Sequence, residues 1–373
     1  MNTNRNKYID ISKGILMILV IIGHFSFFEY EARTLTLIYS FHMPAFFIIA
    51  GFLSHISEEI TIKGIITKRF KSTIVPYYLF YLISFIIMDA NALGNYNMSL
   101  KYMYNGIGNP DFAVNLPLWF LTLYFCATTI YEILDLTSIR ITKTLSIKKK
   151  DINIDKTKEL LLIIFISLLA FVSFIYCRIL KGPRLIYNFE TSLLMLVFIY
   201  VGRVFKYLYS THKETISSYF LSNKNKTIIY YISNILLFCI IIVIWYILSM
   251  KNLRLDLNAR NIRQLHLTYI NGILGTILLI YATYIISFIP IVKNLLSYFG
   301  RISLYILAFH VPGNLITYYV LYDYIPKFIT RRLDDFNIVS VIVRTSVELL
   351  FSVFMYIICK NVLNYIKTNK NNS

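Results

Sequence analysis

Charged residues are scarce in this chain: they make up only 15% of its 373 residues, against about 25% in an average soluble domain. Tryptophan (2), cysteine (4) and proline (8) are also few, whereas hydrophobic residues reach 57%. A soluble domain of this size needs more polar surface, and the composition equally excludes disordered, collagenous and disulfide-stapled chains. A membrane protein with several spans is the class that remains.

Acidic residues are scarcer than basic ones, 19 against 37, so the formal net charge is +18. In a soluble protein this excess would suggest nucleic acid. In a membrane protein it indicates cytoplasmic loops, which collect Lys and Arg, and it also attracts anionic lipid or an anionic cosubstrate. We therefore expect the lipid bilayer, and not nucleic acid, as the partner of this charge.

About ten segments meet the requirement for a membrane span, which is about 20 mainly apolar residues or ~17 at the short end. The predicted spans are 12–30, 38–54, 72–90, 115–134, 159–178, 189–209, 227–249, 266–288, 297–320 and 338–363. With the N-terminus inside, 23 of the 37 basic residues fall in inner regions and 12 in outer ones. The sequence therefore predicts an all-α helical bundle with both termini cytoplasmic, forming a single transmembrane domain over 1–373.

Ionisable side chains inside these spans cost about 2.5–3.5 kcal/mol each and are therefore functional candidates. Lys13 and His24 are eleven residues apart, which places them on one helix face about 16 Å apart along the axis. His42 and His310 reach a depth similar to that of His24, in the outer half of the membrane, and Glu190 begins another span. Neutral imidazole near pH 7 can act as a general base or accept an acyl group.

A metal site is not expected, because the three histidines come from separate predicted helices without HxxxH or CxxC spacing. Asp10 lies one helical turn before Lys13 and is expected to pair with it. The basic segment that contains Arg69 and Lys71 has two readings: a cytoplasmic membrane anchor or a phosphate-binding site.

Five ordered motifs carry a family resemblance. They are Tyr8–Gly14 followed by Gly23-His24, Phe41–Phe47 with Gly51-Phe52, Lys68-Arg69 through Pro76-Tyr77, Pro117–Leu121, and Phe299–Tyr305 through His310-Val311-Pro312. Together they resemble membrane-bound acyltransferase family 3, and more narrowly its branch of fucose-4-O-acetylase-like and exopolysaccharide O-acyltransferases.

The resemblance implies transfer of an acetyl group from cytosolic acetyl-CoA to a saccharide hydroxyl outside a bacterial cell membrane. His24 falls at the family's essential first-span histidine, with His310, His42 and Glu190 as supporting residues. Lys13 stands where many members have arginine. The resemblance further implies that the donor site, which holds acetyl-CoA as cosubstrate, consists of Lys13, Asp10, Arg69 and Lys71. Ser72 occupies the position of the family's second loop arginine, for which Lys71 can compensate.

Two other functions stay open from the sequence. A succinyl group can replace acetyl as the transferred group, because the supply of Lys and Arg does not discriminate between them. A transporter or flippase for a lipid-linked saccharide also has many spans and buried charges.

Overall fold

The computed structural model describes residues 5–24, 32–88, 96–108, 114–148, 153–212, 228–252, 255–324 and 338–371. Across these ranges the chain is helical, and strand pairing is limited to one bridge between Asp256 and Asn261. The helices are α1 (Lys7–Gly23), α2 (Ala32–Leu53), α3 (Ile62–Arg69), α4 (Val75–Ile87), α5 (Tyr96–Asn105), α6 (Trp119–Lys148), α7 (Ile154–Phe174), α8 (Phe189–Thr211), α9 (Ile228–Asn252), α10 (Leu265–Ile286), α11 (Pro290–Arg301), α12 (Ser303–Tyr324) and α13 (Ile338–Asn371). Two π-helical turns, Phe70–Ile74 and Ile175–Ile179, follow α3 and α7.

In the described ranges, eight helices are long and apolar enough to cross a membrane. They correspond to the second to eighth and the tenth predicted spans, and they confirm an all-helical, multi-pass membrane protein. The first predicted span, 12–30, runs partly outside the described residues; its helix begins at Lys7 and ends at Gly23, a length of 17 residues. A total of ten spans therefore stays a prediction.

The ninth predicted span, 297–320, is not one continuous helix. α11 ends at Arg301 and α12 begins at Ser303, and the two are bent by 86°. Pro290 occupies the first turn of α11, where a missing main-chain N–H has no cost. At the other end of α11, Gly300 is held against the main chain of Asp10 in α1. This contact keeps α11 on α1, so the chain must turn at Ile302 before α12 can pack on α13.

The helices group into two compact units. The first contains Met1–Ile38, Tyr77–Leu118 and Ile280–Ser373, and the second contains Tyr39–Pro76 and Trp119–Leu279. Both units are assembled from segments that are distant in sequence.

In the first unit, α1 and α11 approach closely through two glycines. Gly14 of α1 lies against the main chain of Leu296, and Gly300 of α11 lies against the main chain of Asp10. A Cβ atom at either glycine would overlap a main-chain carbonyl oxygen of the facing helix. Small residues allow this backbone approach, which provides close packing where the hydrophobic effect does not operate between helices.

The second unit contains the same reciprocal arrangement between α2 and α8. Gly51 of α2 faces the main chain of Ile199, and Gly202 of α8 faces the main chain of Ile48. Again, an added Cβ would overlap the facing carbonyl oxygen. Each unit is therefore built on a helix pair that tolerates only glycine at its crossing.

We predict that Gly14→Ala, Gly300→Ala, Gly51→Ala and Gly202→Ala each destabilise the protein by about 1–3 kcal/mol, because the added methyl group overpacks a backbone contact. Thermal unfolding in detergent measures this loss. Gly64→Ala is the matched control: its Cβ would meet only side chains, at 3.2 Å or more, and alanine favours the helix. Equal melting temperatures for Gly14→Ala and Gly64→Ala would contradict the close-packing interpretation.

Candidate functional site

His24 caps the C-terminal end of α1 and its ring orientation follows from that position. The residue leaves the helical conformation (φ −99°, ψ 3°) while its main-chain N–H still bonds back to Ile21 and Ile22. Its Nδ1 lies 2.7 Å from the carbonyl oxygen of Val20. Because a carbonyl oxygen only accepts hydrogen bonds, Nδ1 carries the proton, and Nε2 is the nitrogen with the basic lone pair.

His310 has the same arrangement in α12. It is fully buried, and its Nδ1 lies 3.0 Å from the carbonyl oxygen of Ile306 and 3.1 Å from that of Leu307. Its Nδ1 is therefore the protonated nitrogen as well. Its Nε2 has no hydrogen-bond partner in the part of the chain that the structure describes.

The first unit brings these two imidazoles together. The ring centroids of His24 and His310 are 5.2 Å apart and the rings are T-shaped, with an interplanar angle of 66°. Each ring donates a hydrogen bond from Nδ1 to its own helix, so Nε2 is the nitrogen that carries the basic lone pair. The arrangement can therefore accept a proton, or an acyl group, at one nitrogen of a ring whose orientation is already set.

Asn115 anchors α12 two residues before His310. Its Nδ2 donates to the carbonyl oxygen of Ala308 at 2.7 Å and to Ser84 Oγ at 2.8 Å, and both bonds are buried. The adjacent Phe309 packs on Phe80 with ring centroids 5.4 Å apart. Sequence reasoning missed Asn115; the only available signal was an amide directly before the apolar segment Leu116–Leu118.

Lys13 and Asp10, which the sequence predicts as donor-site residues, lie near the N-terminal end of α1, whereas His24 lies at its C-terminal end. Asp10 is buried and accepts two hydrogen bonds from Arg5, at 2.8 and 2.9 Å. The hydrogen-bonded partner of Asp10 is therefore Arg5, whose two-pronged guanidinium suits a carboxylate better than an ammonium group does. Lys13 interacts with Asp10 electrostatically. Lys13 is half-buried, and the neighbouring Ser12 bonds Thr283 of α10 at 2.9 Å.

Arg69 is the last residue of α3 and forms a partly buried ion pair in the second unit. Its Nε donates to Glu132 Oε2 of α6 at 3.1 Å, and its Nη2 pairs with the other oxygen of the same carboxylate. Lys71 lies exposed in the π-helical turn that follows. Ser72, in the same turn, donates to the carbonyl oxygen of Arg69 at 3.1 Å. Two of the Arg69 N–H groups are thus engaged by Glu132, whereas the Lys71 side chain is exposed.

The other two predicted site residues also belong to the second unit. His42 is buried in α2, with its ring 5.0 Å from that of Tyr39. Glu190, in the first turn of α8, is buried; its Oε2 accepts from the main-chain N–H of Leu185 at 3.2 Å, and its Oε1 lies 3.8 Å from Arg260 Nη1.

A second ion-pair cluster, which sequence reasoning missed, joins α6, α7 and α8. Arg203 donates to Asp135 Oδ1 at 2.6 Å and to Glu159 Oε1 at 2.7 Å, while Lys158 Nζ lies 3.4 Å from Asp135. Tyr200 donates to the other oxygen of Glu159 at 3.2 Å. The cluster carries two positive and two negative charges, so it braces the three helices without leaving a net charge for a ligand.

We predict that Arg69→Met destabilises the protein by about 3 kcal/mol, because it leaves the Glu132 carboxylate buried without its partner. Glu132→Met should be destabilising for the converse reason. The double variant should recover most of the loss, since two apolar side chains replace the pair. Melting temperatures of the four proteins measure this coupling, and additive losses in the double variant would contradict it.

One protein-family model matches this chain over nearly its whole length. The acyltransferase family 3 model, described as an acyltransferase domain, matches residues 6–359. No curated protein and no solved structure matches the chain. The match includes both imidazoles, the Arg69–Glu132 pair, seven of the eight candidate spans and most of the eighth. The chain belongs to acyltransferase family 3 and is a multi-pass membrane acyltransferase.

Proposed function

We propose that this protein is an O-acetyltransferase of a bacterial cell membrane, which transfers an acetyl group from cytosolic acetyl-CoA to a hydroxyl group of an extracytoplasmic saccharide. The observation that supports it best is the pair of imidazoles in the first unit, each held with Nδ1–H on a main-chain carbonyl. Family membership supplies the reaction class, acyl transfer. The saccharide acceptor and the acetyl group rest on the resemblance of the motifs around His24, His42 and His310.

His24 is the catalytic base in this proposal. Its Nε2 takes the proton of the acceptor hydroxyl while the hydroxyl oxygen attacks the thioester carbonyl carbon. Collapse of the tetrahedral adduct breaks the carbon–sulfur bond, and the departing thiolate takes the proton back from Nε2. In the alternative route through an acyl-enzyme, Nε2 itself attacks the thioester carbonyl carbon and expels the CoA thiolate. The acceptor hydroxyl then attacks the acetyl group, the bond from Nε2 to the acetyl carbon breaks, and the hydroxyl proton passes to the thiolate. Both routes need the Nδ1–H tautomer that Val20 imposes.

His310 has a positioning role in this scheme. Its ring packs against that of His24 and is itself fixed by two carbonyl oxygens of α12. A protonated His310 would oppose protonation of the neighbouring His24 ring, so a neutral, buried His310 allows His24 Nε2 to take up the proton of the acceptor hydroxyl. Asn115 supports the arrangement by holding the Ala308 carbonyl.

Cations near the start of α1 serve the donor. Lys13 is half-buried eleven residues before His24, so the two residues lie about 16 Å apart along the helix axis. An extended pantetheine arm covers such a span, which allows Lys13 to contact phosphate oxygens while the thioester reaches His24. Asp10 does not contact the donor in this proposal; it holds Arg5, whose guanidinium adds a second cation at the same helix end.

Arg69 and Lys71 are the donor cations proposed for the second unit. In the double variant Arg69→Met/Glu132→Met, folding is retained and the positive charge of Arg69 is absent. An increase in KM for acetyl-CoA in that variant, with kcat little changed, is the expected sign of a phosphate contact. Lys71→Gln should have a similar effect, because Lys71 stands beside the position of the missing second arginine.

We predict that His24→Ala abolishes acetyl transfer, with a loss of at least about 100-fold, the smaller end of what a general base contributes. The assay uses purified protein in lipid, acetyl-CoA labelled in the acetyl group, and a polysaccharide extract as acceptor. Label in the glycan and free CoA are both measured. His55→Ala is the matched control, since His55 is exposed between α2 and α3 and should retain wild-type transfer.

Each outcome of this assay bears on a stated function. Full glycan acetylation by folded His24→Ala protein would refute the catalytic assignment. Transfer of succinyl from succinyl-CoA in place of acetyl would replace the donor in the proposal. Movement of a lipid-linked saccharide across the bilayer without consumption of acyl-CoA would instead indicate a flippase.

A further inference from the structure

Two segments of the second unit carry an unusual concentration of basic residues. Residues 178–184 contain three and residues 251–263 contain four, with Asp256 as the only acidic residue in either segment. The predicted topology places both segments outside the membrane, where they hold seven of the twelve outer basic residues. Outer loops normally carry few Lys and Arg. Seven basic residues in predicted outer loops oppose this tendency, and they indicate an anionic partner on the outer side.

The structure joins the two segments into one surface. Arg260 Nη1 donates to the carbonyl oxygen of Gly182 at 2.7 Å. Asp256 accepts the main-chain N–H of Ala259 at 2.9 Å and so shapes the turn that presents Arg260. The remaining described cations of the two segments are exposed. They are Arg178, Lys181, Arg184, Lys251 and Arg263.

A buried carboxylate lies beneath this surface. Glu190 is 2% exposed, and it interacts electrostatically with Arg260 and Arg184. Its Oε1 makes no hydrogen bond within the described ranges, and the Arg260 guanidinium is 3.8 Å away. A buried carboxylate oxygen without a hydrogen bond is costly. A ligand hydroxyl that donates to Oε1, with a small shift of Arg260, would remove that cost.

The main chain and the aromatic residues around Glu190 add two further features. The four non-glycine residues with left-handed backbone in the described ranges all lie in or beside this surface. They are Lys181, Tyr187, Asn188 and Arg260. Tyr176 packs its ring against Gly182 and donates its hydroxyl to Pro183 at 2.8 Å. Tyr176 and Tyr187 are both half-buried, so part of each ring is accessible at the surface. Strained backbone is found preferentially at ligand sites.

We propose that this surface binds the acceptor, and that the acceptor is an anionic glycan that carries phosphate or carboxylate groups. Guanidinium groups of Arg184, Arg260 and Arg263 bind the anionic groups, for which their planar geometry is suited. Glu190 Oε1 accepts a sugar hydroxyl, and the tyrosine rings provide flat apolar contact for the sugar. A lipid headgroup needs only the cations, whereas the carboxylate and the tyrosines favour a carbohydrate. The inference rests on the proposed function, because it specifies the acceptor class.

Direct binding tests this without any transfer reaction. The full chain in discs of neutral lipid is titrated with a phosphodiester-containing polysaccharide, with a neutral polysaccharide, and with phosphatidylglycerol vesicles. Wild-type protein should bind the phosphodiester glycan at least about tenfold more tightly than the neutral one, with an affinity that falls as salt rises. Arg184→Gln/Arg263→Gln should remove this preference. Lys156→Gln/Lys367→Gln removes the same charge from exposed positions of other helices and should preserve it.

Glu190→Ala supplies the second arm, because it removes the hydroxyl acceptor and retains the surface cations. It should weaken binding of both glycans and leave binding of the vesicles unchanged. Equal binding of anionic and neutral glycans by wild type would overturn the inference, and so would a preference for the vesicles that disappears in Arg184→Gln/Arg263→Gln. Either result leaves the proposed function standing if labelled acetyl still reaches a neutral glycan, so the two failures are distinguishable.

Discussion

The hydrogen bond from His24 Nδ1 to the carbonyl oxygen of Val20 is the interaction on which the proposed chemistry depends. An imidazole in water exchanges its proton between its two nitrogens. Here the Val20 carbonyl oxygen, one turn earlier in the same helix, accepts a hydrogen bond from Nδ1 and so keeps the proton on that nitrogen. The bond exists because α1 ends at Gly23 and His24 serves as its cap. Helix termination, ring orientation and the tautomer therefore follow from a single local geometry, which makes Nε2 the basic atom.

The rest of the first unit places His24 and keeps a second imidazole beside it. Gly14 and Gly300 allow α11 to lie directly on α1, which forces the break at Ile302 and sets where α12 begins. Asn115 then fixes the Ala308 carbonyl, so His310 reaches the ring of His24. In the second unit, ion pairs between helices have the stabilising role that the Asn115 hydrogen bonds have in the first unit. The pairing of Arg69 with Glu132 is an example.

Apolar length is a local property, so the sequence predicts most spans within a few residues, and helical rise alone places His24 and His310 at one depth. The break at Ile302 was not predictable, because its cause is a contact with Asp10 at the other end of the chain. Asn115 resembles an ordinary polar residue at the start of a span until Ala308 is placed beside it. The pairing of Arg203 with Asp135 was not predictable either, because it forms only once three helices are packed.

The tautomer of His24 in the folded protein tests the central claim most directly. Nitrogen-15 spectra of histidine-labelled protein in lipid, with the His24 signals assigned by their loss in His24→Gln, report which ring nitrogen is protonated at neutral pH. The account predicts a neutral ring with the proton on Nδ1 and an unprotonated Nε2. A proton on Nε2 in the neutral ring would contradict it, because the nitrogen proposed to accept the proton of the acceptor hydroxyl would already carry one.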